Sequence, residues 1–254
     1  MIARMPTLPL HPVRRIARVL VACHAAAGVL ACTWTATATE SLPELLAQVA
    51  ANARADPPVR ADVRIDCGEG CAAAGRPAIF VARGDALYVE VKDGQRALLR
   101  PERILVARDG ASVEAAVGDA FADTDLLLED LVPFTAASLK VPQISDDGPA
   151  GVVVTSAPTG SSTYALLVHT IDRERHAIVR TLYYRDLINN LSKTRSNREL
   201  ARAGGGWRPG TIVAETLRRA TKTTLTLAWR DVPDAPANLF EPAGLAKPSG
   251  LVFP

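Results

Sequence analysis

The segment 162–245 limits the possible folds of this chain more than any other feature of its sequence. It repeats strand-like runs separated by short turns, beginning with STYALLVHTID, RER and HAIVRTLYYR. Strands that are joined by short turns pair as an antiparallel meander. A meander of this length must curl and close, or bury its inner face under other elements. The pattern therefore predicts one large curved antiparallel sheet.

Further strands are predicted before this segment. The run 59–66 alternates apolar and charged residues, as a half-buried strand does. Turn signals at Gly84-Asp85, Asp93-Gly94 and Asp109-Gly110 divide the sequence that follows. They delimit four more strands, at residues 77–83, 86–92, 95–100 and 103–108.

Two helical regions accompany the strands. Ser41 and Glu44 form a capping-box pattern, and apolar residues then recur at helical spacing as far as residue 53. The segment 118–139 also has helical spacing, with Leu127, Leu128 and Leu131 on one face. A few helices beside one large curved antiparallel sheet make an α+β fold.

The first 38 residues have the organisation of a secretory signal peptide. Arg14, Arg15 and Arg18 precede an apolar run at residues 19–31, and Ala36-Thr37-Ala38 supplies the small residues of a cleavage site. The apolar run is shorter than the roughly 20 residues that a membrane-spanning helix needs. Cleavage after Ala38 predicts a protein of the periplasm.

A second processing route stays open, because the VLAC run at residues 29–32 resembles a lipobox. Processing there would make the protein a membrane-anchored lipoprotein that is attached through Cys32.

Cleavage after residue 38 removes four of the 29 basic side chains and none of the 27 acidic ones, which leaves 25 basic side chains. A nearly balanced charge of this kind gives no support for nucleic acid as a partner.

Cys67 and Cys71 are the only cysteines after residue 38. In an oxidising compartment, two cysteines in the run CGEGC between strand-like segments predict a disulfide. The alternative is a metal-binding or redox pair. That alternative lacks a third Cys or His ligand nearby, and the spacing is not C-x-x-C.

Seven short elements follow one another along the chain. They are AFADTDLLLEDL at 120–131, IDRE at 171–174, the pair Tyr183-Tyr184, LSKT at 191–194, WRP at 207–209, the threonine-rich run 221–227 and LFEPAGL at 239–245. In this order they resemble the outer-membrane lipoprotein-sorting protein family, the LolA-like carriers, over about residues 60–247. The resemblance implies a half-open β-barrel with helices covering its mouth. It also implies a lipid- or lipoprotein-binding domain at residues 39–247, followed by a tail at 248–254.

The same resemblance implies a carrier function. LolA-like proteins hold acyl chains in an apolar cavity, so the expected partners are an acylated lipoprotein or a lipid, together with an inner-membrane transporter. Neither enzymatic activity nor a cofactor is expected. The alternative is an envelope sensor or interaction module of the same fold that transports nothing, and an envelope hydrolase is the third class considered.

Apolar residues of the predicted strands are candidates for the wall of such a cavity. They form either that wall or an ordinary packed core, because the sequence does not show which face of the sheet looks inward. The candidate ligand-binding residues are Leu166, Val168, Ile178, Leu182, Val213, Leu217, Leu225 and Leu227.

Polar residues are expected to have structural roles. Asp123, Glu129 and Asp130 have the chemistry of general acids and bases, but such residues more often cap and solvate a helix. His169 and His176 flank the turn at 172–175, so they could approach each other; a surface or cross-strand pair is expected, because a metal site would need a third ligand. The glycine-rich segment 203–210 is expected to be a flexible loop, and residues 242–254 to pack loosely.

Overall fold

A computed structural model describes residues 40–68, 71–186 and 190–254, so the predicted signal peptide and Cys32 lie outside the described residues. Within them, thirteen antiparallel strands form one sheet in the order β6-β5-β4-β3-β2-β1-β13-β12-β11-β10-β9-β8-β7. The strands are β1 Ala55–Cys67, β2 Pro77–Gly84, β3 Ala86–Val91, β4 Arg96–Arg100, β5 Arg103–Arg108, β6 Ala111–Glu114, β7 Leu139–Gly148, β8 Gly151–Pro158, β9 Leu166–Asp172, β10 Ala177–Tyr184, β11 Leu191–Ala203, β12 Gly206–Thr216 and β13 Thr221–Asp231. This arrangement confirms the predicted large curved antiparallel sheet, whose open edges are β6 and β7.

The predicted N-terminal helix is confirmed. Helix α1 spans Leu42–Ala53, and the Glu44 carboxylate accepts hydrogen bonds from the Ser41 amide at 2.9 Å and from the Ser41 hydroxyl at 2.7 Å. These bonds satisfy groups that a helix start otherwise leaves unpaired. The other described helices are short: the 3₁₀ helices Leu128–Leu131, Ala136–Ser138 and Ala237–Phe240, and helix α2 at Pro242–Leu245.

The helical prediction for residues 118–139 is wrong for most of that segment, which forms turns and two of these 3₁₀ helices. Ala122 and Asp123 have positive φ angles of 50° and 60°, a conformation that a right-handed helix cannot include. The Thr124 hydroxyl donates to the Phe121 carbonyl at 2.7 Å, which closes the turn. The apolar residues of the segment still face the core, since Leu128 is buried.

The inner face of the sheet is covered by two elements. Helix α1 packs its apolar side onto β8 and β9, where Leu45 and Val49 share a buried cluster with Val154 and Ile171. The segment 120–132 packs onto the inner face of β1 to β5, and Phe121 stacks edge-on against Phe80 at 5.6 Å between ring centroids. An amphipathic helix on an apolar sheet face buries both surfaces.

The outer face of β2 to β5 is covered by the C-terminal segment, which does not pack loosely as expected. Phe240 and Leu245 are buried against Ile79 and Tyr88, and partly buried apolar residues as far as Phe253 join this cluster. Because the outer face of these strands is also apolar, it requires a cover of this kind.

The glycine-rich connection between β11 and β12 is a tight turn and not a flexible loop. Gly204 and Gly205 have φ angles of 58° and 76°, and the amide of Gly204 donates to the Asp231 carboxylate at 2.8 Å. A Cβ atom on Gly206 would lie 2.2 Å from the carbonyl oxygen of Asn52. The glycines therefore allow the turn to pack directly against the end of α1. At the opposite end of β1, the predicted Cys67–Cys71 disulfide is formed, with Cα atoms 5.9 Å apart.

Candidate ligand-binding cavity

A cavity of about 580 Å³ lies between the inner face of the sheet, the end of α1 and the segment 128–134. This volume is within the ~300–1,000 Å³ that is typical of ligand pockets. Aliphatic and aromatic side chains supply much of its wall, among them Val49, Phe80, Leu131, Phe134, Ile178, Ile212, Leu227 and Trp229. The cavity therefore offers a partly apolar surface next to two covering elements, and charged side chains such as Arg100, Glu102 and Glu114 also line it.

The structure divides the predicted ligand-binding residues between the two faces of the sheet. Two of them, Ile178 and Leu227, line the cavity. Leu225 is fully buried in the inner-face core without lining the cavity, and Leu217 is half-exposed beyond the end of β12. The remaining four, on the opposite face, are Leu166, Val168, Leu182 and Val213.

Strand alternation explains this division. Successive side chains of a regular strand point to opposite faces, so such a strand offers either its odd-numbered or its even-numbered residues to a cavity. Strand β10 is irregular between Ile178 and Arg180, and both Ala177 and Ile178 line the cavity. In β9 the cavity is lined by Leu167 and His169, and in β12 by Ile212. These neighbours of the predicted residues are the ones that sequence reasoning missed, and no local signal distinguishes the two faces.

A line of polar side chains crosses the apolar wall. His169 lies opposite Thr181 in the sheet, Thr181 lies opposite Arg195, and Asn197 follows Arg195 on the same face. We refer to these four residues as the polar row. Hydrogen bonds connect it: His169 Nδ1 lies 3.0 Å from the Thr181 hydroxyl, and Arg195 Nε donates to the Asn197 side-chain oxygen at 3.1 Å.

His169 is held neutral inside the protein. Burial lowers the pKa of its imidazole to about 4, and the positive charge of Arg195 acts in the same direction. The ring meets that of Phe134 edge-on, with centroids 6.0 Å apart. Its Nε2 atom is buried and has no hydrogen-bond partner in the described part of the chain.

His169 and His176 do not form a cross-strand pair. His169 is opposite Thr181 in the β9–β10 pair, whereas His176 lies in the turn, where its Nε2 is 3.4 Å from the Glu40 carboxylate. The separation follows from the register, which places Asp172 opposite Ala177. Within residues 40–68, 71–186 and 190–254, no three His, Cys, Asp or Glu side chains are grouped as metal ligands.

Asp130 attaches the cover of the cavity to the sheet. Only 5% of this residue is exposed, and its carboxylate accepts bonds from Lys193 Nζ at 2.5 Å, from the Tyr164 hydroxyl at 2.9 Å and from the Leu127 amide at 2.7 Å. Burial, followed by the negative charge of Asp130, raises the pKa of Tyr164 above its ordinary value. The segment 128–131 is thus anchored to β11 by a buried ion pair.

The two other acidic candidates differ from Asp130. The Glu129 carboxylate accepts bonds from the Ser162 hydroxyl at 2.7 Å and from the Thr163 amide at 3.2 Å, so it connects the same cover to the loop between β8 and β9. Asp123 is exposed. The bonds of Glu129 and Asp130 connect segments of the fold, as the structural interpretation predicts, although Asp130 is buried and not solvated.

Arg208 binds the end of α1 at the cavity wall. Its guanidinium donates to the carbonyls of Asn52 at 3.0 Å, Ala53 at 2.9 Å and Arg54 at 2.5 Å. A cation is favourable here because the carboxyl end of a helix carries partial negative charge. Burial lowers the pKa of Arg208 to about 10, which still leaves the side chain charged at neutral pH.

Solved structures share this architecture, whereas no protein-family model and no curated protein matches the chain. The chain is similar to a domain from Vibrio parahaemolyticus that is described as an outer membrane lipoprotein-sorting protein, with a TM-score of 0.64 and 14% identity over 80% of this chain and 97% of that one. It is also similar to a DUF1329 family protein from Desulfovibrio piger, with a TM-score of 0.63 and 15% identity over 82% and 100% of the two chains. A LolA superfamily protein from Nitrosomonas europaea has a TM-score of 0.57 and 15% identity over 76% of this chain and 94% of that one. The chain therefore has the LolA-like fold that its sequence elements predict.

Proposed function

We propose that this protein is a periplasmic, non-enzymatic carrier that binds lipoprotein acyl chains or another hydrophobic ligand and serves outer-membrane lipoprotein sorting. The cavity of about 580 Å³ on the inner face of the sheet carries this proposal. An acyl chain that leaves water for an apolar cavity gains ~0.8 kcal/mol for each buried CH₂. The similarity of the fold to a domain described as a lipoprotein-sorting protein supports the same function. An inner-membrane transporter is the proposed partner that loads the carrier.

Export to the periplasm forms part of the proposal. Residues 1–38 are proposed as a cleaved signal peptide and residues 39–247 as the binding domain, with anchoring through Cys32 as the alternative. None of the helices in the described ranges is long and apolar enough to cross a membrane.

A side chain that fills the cavity tests the carrier function. Ala177 lines the cavity and is buried, so Ala177→Trp is expected to abolish saturable binding of a fluorescent acyl probe and to change the melting temperature little. The matched control is Ala165→Trp, because Ala165 is exposed and does not line the cavity.

The outcomes separate the candidate functions. Probe binding by the wild type and by Ala165→Trp, but not by Ala177→Trp, supports the carrier. If Ala177 lies in an ordinary packed core, Ala177→Trp destabilises the protein by roughly 1–3 kcal/mol through overpacking. If the wild type shows no saturable binding, the carrier function is wrong and the interaction module of the same fold replaces it.

A further inference from the structure

We propose that the cavity takes a single-chain amphiphile whose anionic oxygen head, a carboxylate or a phosphate, is buried against Arg195 in the polar row. This inference rests on the proposed carrier function and names the class of ligand. In this arrangement the hydrocarbon chain lies along the apolar wall, and the head lies inside the protein and not at the mouth of the cavity.

Arg195 is the first observation. Its side chain is partly buried, lines the cavity and is held in place because Nε donates to Asn197 and Nη1 donates to the backbone carbonyl of Asp130. None of the ion pairs found among the described residues involves Arg195. A positioned guanidinium without a carboxylate partner, next to an apolar cavity, is suited to bind an anionic oxygen group.

Nearby negative charges are already compensated. The Asp130 carboxylate is paired with Lys193 and also accepts from Tyr164, and the Glu129 carboxylate accepts from the Ser162 hydroxyl and the Thr163 amide. Since these carboxylates are engaged elsewhere, the positive charge of Arg195 is available to a ligand.

His169 is the second, independent observation. It lines the cavity, is 7% exposed, and its buried Nε2 atom has no hydrogen-bond partner in the part of the chain that the structure describes. Buried polar groups in proteins are nearly always paired, and leaving one unpaired is costly. An oxygen atom of a ligand head at the polar row supplies the hydrogen-bond partner that His169 Nε2 lacks.

The size of the cavity favours one chain. If a methylene group takes about the ~30 Å³ that a water molecule occupies in the liquid, then 580 Å³ holds on the order of 20 methylenes. This is the size of one long acyl chain. Palmitate and hexadecyl phosphate are therefore suitable probes, and hexadecanol is the neutral ligand of equal chain length.

Competition binding tests the proposal. Palmitate, hexadecyl phosphate and hexadecanol, each below its critical micelle concentration, compete with a fluorescent neutral acyl ester for the purified protein. At least one acid is expected to bind roughly tenfold or more tightly than the alcohol. Whichever of the two acids binds more tightly shows whether the head group comes from a fatty acid or from a phosphorylated lipid.

Two variants assign the effect to the polar row. Arg195→Met is expected to reduce the ratio of acid binding to alcohol binding to about one, and its far-UV circular dichroism spectrum shows separately that the variant is folded. Arg198→Met removes the same charge at an exposed position of the same strand that does not line the cavity, and is expected to bind like the wild type.

Two results would overturn this inference while the carrier function stands: equal binding of acids and alcohol by the wild type, or an acid preference that survives Arg195→Met. If neither the acids nor the alcohol nor the ester binds the wild type, the proposed function itself fails.

Discussion

Replacement of His169 by asparagine is expected to remove a large pH dependence from the stability of this protein. The imidazole is buried next to Arg195, and its pKa is lowered from 6.5 to about 4. At about 1.4 kcal/mol for each pH unit, this lowering corresponds to about 3 kcal/mol of unfolding free energy.

The sign of the effect follows from proton binding. The unfolded chain protonates this histidine near pH 6.5, whereas the folded protein protonates it only near pH 4. Between these values the unfolded state binds more protons, so the free energy of unfolding falls as the pH falls. Above pH 6.5 this contribution to stability is fully present, and by about pH 4 it is lost.

Urea denaturation of the wild type and of His169→Asn at intervals between pH 7.5 and pH 4.5 measures the effect. The difference between the two unfolding free energies isolates His169 from the other groups that titrate in this range. Between pH 7.5 and pH 4.5 we expect the unfolding free energy of the wild type to fall by about 2–3 kcal/mol more than that of His169→Asn. The control is His176→Asn, in the turn after β9. Its unfolding free energy is expected to fall with decreasing pH as much as that of the wild type, because His169 is intact. Parallel curves for the wild type and His169→Asn would refute the reasoning.

Three other predictions concern the anchors of the fold and its processing. Asp130→Ala leaves the buried Lys193 unpaired and is expected to lower the free energy of unfolding by about 3–5 kcal/mol. The double variant that adds Lys193→Met is expected to recover part of this loss. Urea denaturation measures both variants, and an unchanged free energy of unfolding in Asp130→Ala would contradict the prediction. Arg208→Met removes three hydrogen bonds to the end of α1 and is expected to cost roughly 1–3 kcal/mol, whereas the exposed Arg198→Met is expected to cost little. N-terminal sequencing of the periplasmic protein is expected to start at Thr39, and a blocked, diacylated Cys32 would instead establish a lipoprotein.

Local sequence signals were sufficient to predict most strands and the first helix. Turn residues such as Asp93-Gly94 force neighbouring strands to pair, and the Ser41–Glu44 capping box defines the start of α1. The pairing of β1 with β13, which places Val59 opposite Asp231, joins distant parts of the chain. No local signal predicts such a contact, since it depends on how the whole sheet curls.

The cavity was harder to predict than the fold. A change of one residue in the assignment of a strand exchanges its two faces, so the sequence predicts Val168 in the wall whereas His169 lines it. The anchor between Asp130 and Lys193 joins residues that are 63 positions apart, and neither residue type predicts burial by itself. Periodicity identified the apolar residues of the segment 118–139, but turn chemistry at Ala122 and Asp123 prevented the helix.

Mass spectrometry of organic extracts from the purified wild-type protein and from Ala177→Trp tests the central claim most directly. The carrier function predicts an amphiphile with an acyl chain in the wild-type extract, in a stoichiometric amount, and its loss from the Ala177→Trp extract. An equal amount of lipid in both extracts, or none in the wild type together with no uptake of added acyl probe, would contradict a ligand in this cavity.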